Sequence, residues 1–242
     1  MHTFIGIVKI TICWIITIFC GVGSLVGTLV FMQRSSVAWI GRNIWGPWLL
    51  AVLGCKLNVE RNDAIDFSKP HVFFMNHQSA IDVLVAYTVI PADISFVAKK
   101  ELKWIPFLGW AMQVGGMIFV DRSSPKRAVQ GMRLAAEQVA AGTNIIAYPE
   151  GTRTQTGALS PFKKGTFVTA IQAGVDMVPI AIDGARDLYG AQGMRVVPGQ
   201  VNVKFGVPLS TANLSYRNNE HRESLTSQGE KQMSELLEQM RQ

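Results

Sequence analysis

His71-Val72-Phe73-Phe74-Met75-Asn76-His77-Gln78-Ser79-Ala80-Ile81-Asp82 is the stretch on which the fold turns. An apolar run of strand type, His71 to Met75, gives way to a polar turn, and Ser79-x-x-Asp82 then has the form of a capping box opening a helix. In that reading Ser79 is the N-cap and Asp82 the N3 residue, whose carboxylate reaches back toward the turn that holds His77. Two residues five apart within one helix would diverge by about 140°. With His77 in the turn and Asp82 on the helix, they are free to meet.

Further runs of strand type follow at Ile94 to Ala98, Met117 to Asp121, Asn144 to Tyr148, Met177 to Ile182 and Val201 to Phe205, with helical patterns between them. One helix is expected to begin at Ser124 as N-cap with Pro125 at its first position, to place Val129, Met132, Ala136 and Val139 on one face, and to stop at Gly142. Another is expected from about Gly165 to Ala173, closed by Gly174. The polar tail from about Ser210 is expected to end in a short amphipathic helix near Lys231 to Met240. This alternation predicts an α/β fold, a central mostly parallel or mixed sheet flanked by helices.

Upstream the composition changes. Residues 1 to 56 hold Lys9, Arg34, Arg42 and Lys56 and no Asp or Glu, so four of the six net positive charges lie there. A nucleic-acid binder would carry its basic excess on the folded domain, so the pI of 9.4 points instead to a membrane surface. With 48% apolar and 17% charged residues in 242, the chain is excluded from the disordered, collagen-like and disulfide-scaffold classes.

Ile10 to Met32 carries no formal charge over a length of about 34 Å as a helix, enough to cross a hydrocarbon core of about 30 Å. No A-x-A-like cleavage signal follows it. Val37 to Gly54 holds Trp39, Trp45 and Trp48 but is interrupted by Arg42, Asn43 and Pro47, which suits an interfacial or re-entrant helix. Because Arg34, Arg42, Lys56 and Arg61 follow the span and Lys9 alone precedes it, the positive-inside rule places the rest of the chain in the cytoplasm. Two parts are therefore expected, a membrane anchor over 1–56 and an α/β domain over 57–242. Cys13, Cys20 and Cys55 form no C-x-x-C pair and read as apolar filler in a reducing compartment.

Three polar clusters each follow a strand-type run: Asn76 to Asp82, Asp121-Arg122, and Pro149-Glu150-Gly151-Thr152-Arg153. In open α/β sheets the residues beyond the carboxyl ends of strands gather at one edge, so these clusters can share a crevice. His77 and Asp82 suit a general base and its orienter, although a strand end and a plain helix cap use the same residues. Arg122 is either a cation at the sheet edge or a surface partner of Asp121 or Glu137. Pro149 stops a strand, Gly151 lets backbone approach a ligand, and Arg153 offers a planar fork suited to phosphate. Lys99-Lys100 and Lys163-Lys164 add cations whose default is solvation. There is no phosphate loop, no G-x-S-x-G elbow and no H-E-x-x-H pair, so a covalent serine or cysteine mechanism has no support.

Asn76-His77-x-Ser79-x-x-Asp82, Gly116-x-x-Phe119-Val120-Asp121-Arg122, Pro149-Glu150-Gly151-Thr152-Arg153 and Val178-Pro179-Ile180 occur in the order and approximate spacing of the four motifs of the glycerolipid acyltransferases. The chain resembles in particular the bacterial 1-acyl-sn-glycerol-3-phosphate acyltransferases of the PlsC type, over roughly residues 55 to 210. Lys99-Lys100-Glu101-Leu102 followed by Pro106 and Gly109 is also similar to that family, whereas Tyr148 stands where the family more often has Phe. The resemblance implies acyl transfer from acyl-CoA or acyl carrier protein to the sn-2 hydroxyl of lysophosphatidic acid, giving phosphatidic acid at a bacterial-type inner membrane. His77 would be the base and Asp82 its orienter, with no covalent enzyme intermediate, no metal and no resident cofactor. Arg122 and Arg153, with Lys99, would hold the acceptor phosphate, and Glu150, Gly151 and Thr152 would complete its site. The partners implied are the bilayer, the lysolipid and the acyl donor, and no nucleic acid. Two other readings use the same residues: an acceptor that is another lysolipid or glycerol 3-phosphate, and a membrane-anchored phosphohydrolase with His77, Asp82 and Glu150 as metal ligands.

Overall fold

The structure, a computed structural model, describes residues 2–121, 124–189 and 196–242. Its centre is a seven-stranded sheet of β1 (Cys55–Glu60), β2 (Val72–Met75), β3 (Ile94–Lys99), β4 (Ile118–Val120), β5 (Asn144–Ala147), β6 (Met177–Asp183) and β7 (Gly199–Phe205). The order across the sheet is β1-β7-β6-β2-β5-β3-β4, parallel throughout except that β7 runs antiparallel to β6. β2 lies between β6 and β5, and every residue of β2 and β5 is buried, as central strands covered on both faces require.

Alternation along β2 feeds two cores. Phe73 and Met75 join a cluster with Leu84 and Val85 of α4 (Ile81–Val89), while Val72 and Phe74 face α6 (Pro125–Ala140), α7 (Gly165–Ala173) and α9 (Asn219–Arg241). Ser124 and Gly142 bound α6 as the sequence predicts, and Gly174, at φ +68°, closes α7.

The C-terminal helix corrects the expectation of a short one. It begins at Asn219, capped by the Asn218 side chain, which accepts from the Glu220 N–H at 2.9 Å. Its inner stripe includes Thr226 and Gly229, and a Cβ at 229 would come within 2.5 Å of the Phe167 ring. Close packing on a glycine thus replaces the apolar spacing that would mark a helix in sequence. β1 was not expected either: Lys56, Asn58 and Glu60 project outward from an edge strand paired with β7.

At the N-terminus α1 (His2–Phe31) contains a stretch, Phe4–Phe31, long and apolar enough to cross a membrane. It starts before Lys9 rather than after it. The Lys9 ammonium is used internally, donating to the Leu53 carbonyl at 3.0 Å, one of the last carbonyls of α3 (Gly46–Leu53), where a cation also complements the helix dipole. Before α3 come α2 (Ser35–Ile40) and a π-helical turn, Gly41–Trp45. Pro47 has no N–H to give Asn43, and the Gly46 N–H bonds instead to Gly41 O, five residues back. Gly41 and Gly46 also let this segment lie directly on α4, since Cβ atoms there would meet the Tyr87 ring at 2.6 Å and Thr88 Oγ1 at 2.8 Å.

Candidate active site

The carboxyl end of β2 is fastened before any chemistry begins. The Asn76 amide donates to Ile182 O at 2.9 Å and accepts from Ile182 N at 2.8 Å, clasping β2 to β6. Glu150, beyond the end of neighbouring β5, accepts the His77 N–H at 2.7 Å through one oxygen and the Ser160 N–H at 2.9 Å through the other. The Thr154 N–H donates to His77 O at 2.8 Å. Both backbone groups of His77 are thus held.

The side chain is held as firmly. His77 Nδ1 lies 2.7 Å from Asp82 Oδ2, which also accepts the N–H groups of Gln78 at 2.7 Å and Ser79 at 2.9 Å. The capping box therefore reaches back as predicted; the helix starts one residue later than expected, with Ala80 at the N-cap position, while the Ser79 hydroxyl donates to Tyr189 O and accepts the Ile81 N–H. Asp82 is fully buried. Burial pushes its carboxyl up, and His77 with the two amides opposes that by favouring the charged form. Two backbone N–H groups already point at Oδ2, so that oxygen acts as an acceptor toward the ring, Nδ1 carries the proton and Nε2 presents its lone pair.

His77 opens on a cavity of about 780 Å³, its walls mostly apolar and drawn from α1, α3, α4, the end of β3 and α5 (Leu108–Val114). Gly151, Thr152, Arg153 and Lys99 line the same cavity. Gly151 takes φ +78°, and a Cβ there would fall 2.5 Å from Lys163 Nζ, so Lys163 lies over this turn and adds a cation. Among the described residues Arg153 has no acidic partner, and the N–H groups of Thr152 and Arg153 have no acceptor. Lys99 is well exposed and 3.6 Å from Glu101, whereas Lys100 and Arg127 each approach Asp121 to 2.7 Å. Arg122, expected at the acceptor phosphate, lies outside the described residues.

Of the residues singled out in the sequence, His77, Gly151, Thr152, Arg153 and Lys99 line one cavity, and Asp82 is buried behind His77. Glu150 belongs behind it: both its oxygens serve backbone amides, so the metal-ligand reading of His77, Asp82 and Glu150 has no convergent donors. Among the described residues no group of three or more His, Cys, Asp and Glu is placed to hold a metal ion. In the sequence Lys163 reads as a solvated cation and Tyr148 as a departure from the family pattern. The signal for Tyr148 lay in register, since β5 pairs with β2 at Ala147 and Phe74, whereas Lys163 is brought back by its own N–H, which donates to Pro149 O at 2.9 Å.

A family model described as Acyltransferase matches residues 56–183. The chain is 31% identical over 197 residues to a 1-acyl-sn-glycerol-3-phosphate acyltransferase of Saccharomyces cerevisiae, covering 80% of this chain and 64% of that one. To the human 1-acyl-sn-glycerol-3-phosphate acyltransferase alpha it is 32% identical over 184 residues, covering 72% of this chain and 65% of the relative. It therefore spans a little under two thirds of the length of these curated relatives. A crystal structure of the 1-acyl-sn-glycerophosphate acyltransferase PlsC from Thermotoga maritima superposes with a TM-score of 0.81 at 25% identity, covering 97% of this chain and 95% of that one.

Proposed function

Since the chain belongs to the Acyltransferase family, we propose that it moves an acyl chain from a thioester donor, acyl-CoA or acyl carrier protein, to the free sn-2 hydroxyl of lysophosphatidic acid, forming phosphatidic acid. The observation that carries this reading is the His77–Asp82 pair, 2.7 Å apart, at the wall of a largely apolar cavity with Arg153 on its rim. The relatives in yeast and human are named for the same acceptor.

In this mechanism Nε2 of His77 takes the proton of the acceptor hydroxyl as its oxygen attacks the thioester carbonyl. Asp82 fixes the tautomer and stabilises the imidazolium. Collapse of the tetrahedral intermediate breaks the C–S bond, and the departing thiolate recovers the proton from His77. The amides of Gln78 and Ser79 are committed to Asp82 and that of Gly151 to Tyr148 O, so none of them serves the oxyanion. The acceptor-free N–H groups of Thr152 and Arg153 are the donors left near Gly151. Arg153, Lys163 and Lys99 neutralise the acceptor phosphate.

The acyl chain occupies the cavity, where its methylenes replace water against α1 and α3. α1 anchors the enzyme in the bilayer with the catalytic domain on the cytoplasmic side, so the acceptor's tail need not leave the membrane. The test is an acyl-transfer assay on the purified full chain with lysophosphatidic acid, other lysolipids and glycerol 3-phosphate, each with both donor types. Turnover that is fastest on another acceptor would reassign the substrate, and none on any would remove the reading.

A further inference from the structure

The aromatic ring beside the base does work of its own. Tyr148 leaves β5 next to the end of β2, and its ring lies parallel to the His77 imidazole, with centroids 4.0 Å apart and planes 19° apart. Asp82 grips the imidazole edge at Nδ1, and Tyr148 covers one face, so two contacts at right angles leave Nε2 as the free edge. Among the described residues the buried Tyr148 hydroxyl has no partner, while the ring is half-buried and lines the cavity.

We propose that Tyr148 is a positioning residue for the base: its ring plane fixes the imidazole and its π-face stabilises the imidazolium that forms as His77 takes the proton. The inference rests on the acyl-transfer reading for its consequence but not for its geometry. A neutral imidazole gains little from an aromatic face, whereas a cation within about 6 Å of the ring centroid is attracted by the ring quadrupole. The contact is thus stronger in the transition state than in the ground state, which is the kind that raises kcat rather than affinity. Burial first, and then the charges of Asp82 and Tyr87, hold the phenol well above its usual range, so Tyr148 adds no charge of its own. The ring is sufficient for the role, and Phe would fill it.

Other groups face His77 or its turn. Asp82 projects from α4, Glu150 and Arg153 come from the turn after β5, Lys163 lies over Gly151, and Tyr189 O receives the Ser79 hydroxyl from beyond α8 (Ala185–Leu188). All of them remain when Tyr148 is changed, so a shift in His77 titration on that change reports the ring.

Wild type, Tyr148→Phe and Tyr148→Leu are compared as full chains in lipid–detergent micelles, with equal melting temperatures confirmed first. Tyr148→Leu is expected to lower kcat ~3- to 30-fold, to leave both KM values within about twofold, and to move the acidic limb of kcat/KM to lower pH. Tyr148→Phe restores all three. A substrate-free arm follows the pH dependence of His77 modification by diethyl pyrocarbonate, read on the His77 peptide by mass spectrometry, and the same downward shift is expected for Leu alone. If wild type fails to acylate any lysolipid, the functional reading falls while this arm still decides the role of the ring. The proposal is overturned if Leu leaves the modification profile unmoved, or if Phe is as impaired as Leu, which would put the effect in the hydroxyl.

Discussion

β2 is flanked by two histidines, His71 before it and His77 after it, and their surroundings differ in every respect that matters to a base. His71 is buried, its ring tilted 44° against Phe73 at 5.6 Å, and among the described residues its Nδ1 has no partner. His77 has a carboxylate on one nitrogen, an aromatic plate on one face and a cavity before the other nitrogen. The amino end of β2 is closed by core, and the His71 N–H is tied to the Asn144 side chain at 2.9 Å. The carboxyl end opens between loops that carry charge. Position along a parallel strand therefore decides whether a histidine is packed or put to use.

The largest expected effect tests that contrast directly. His77→Ala removes the base and should lower kcat ~10²- to 10⁴-fold while the melting temperature holds. His71→Ala should do the reverse, keeping kcat and losing stability through a core cavity. A folded His77→Ala protein with near-normal turnover would dissolve the distinction.

Next come the cations expected at the acceptor phosphate. Arg153→Ala and Arg122→Ala should each raise the acceptor KM by roughly 10- to 150-fold, the equivalent of about 1.5–3 kcal/mol for a lost charge-assisted contact, with the donor KM unchanged. A rise in the donor KM alone would move the phosphate site to the other substrate.

Glu150→Gln sharpens the comparison from behind the site. One oxygen is replaced by an NH₂ that points a donor at a donor, so one of two buried amides loses its acceptor, at a cost of about 1–3 kcal/mol. Stability and kcat should fall together, in denaturant melts and in turnover, because the amide at stake is that of His77 or of Ser160 on the same bracing turn. An increase in acceptor KM without loss of stability would return Glu150 to the substrate.

What was legible in the sequence was what is local. Strands β2 to β6 stand out as apolar runs and β7 as an alternating one, and α6 and α7 are bounded by their own caps. His77 and Asp82 were legible as a pair because a capping box links them within six residues. The edge strand β1, half of it exposed, has no such run, and the first half of α9 hides its buried face behind Thr226 and Gly229. The bracing contact of Glu150 was not legible because its partner, the His77 amide, is 73 residues away and comes near only once β5 lies beside β2. The Lys163 ammonium over Gly151 and the Tyr148 ring on His77 are contacts of the same non-local kind.

The smallest effect belongs to the closed end of the strand. Burial lowers the His71 pKa from 6.5, outweighing a backbone hydrogen bond at Lys69 and the charges of Asp176 and Asp66, which favour the protonated form. In the unfolded chain the imidazole titrates near its ordinary value of about 6.5. Above that pH both states are neutral and His71 makes no pH-dependent contribution. As pH falls through 6.5 the unfolded chain takes up a proton that the folded chain refuses, so the unfolded state gains and stability declines, at no more than about 1.4 kcal/mol per pH unit. The decline ends where the folded imidazole itself becomes protonated. Urea melts of the solubilised protein between pH 8 and pH 5 should therefore fall less steeply for His71→Gln than for wild type, with equal slopes above pH 7 and unchanged turnover at pH 7.5. Identical slopes throughout would mean that the histidine at the closed end reaches solvent, and the contrast between the two ends of β2 would then rest on the carboxylate alone.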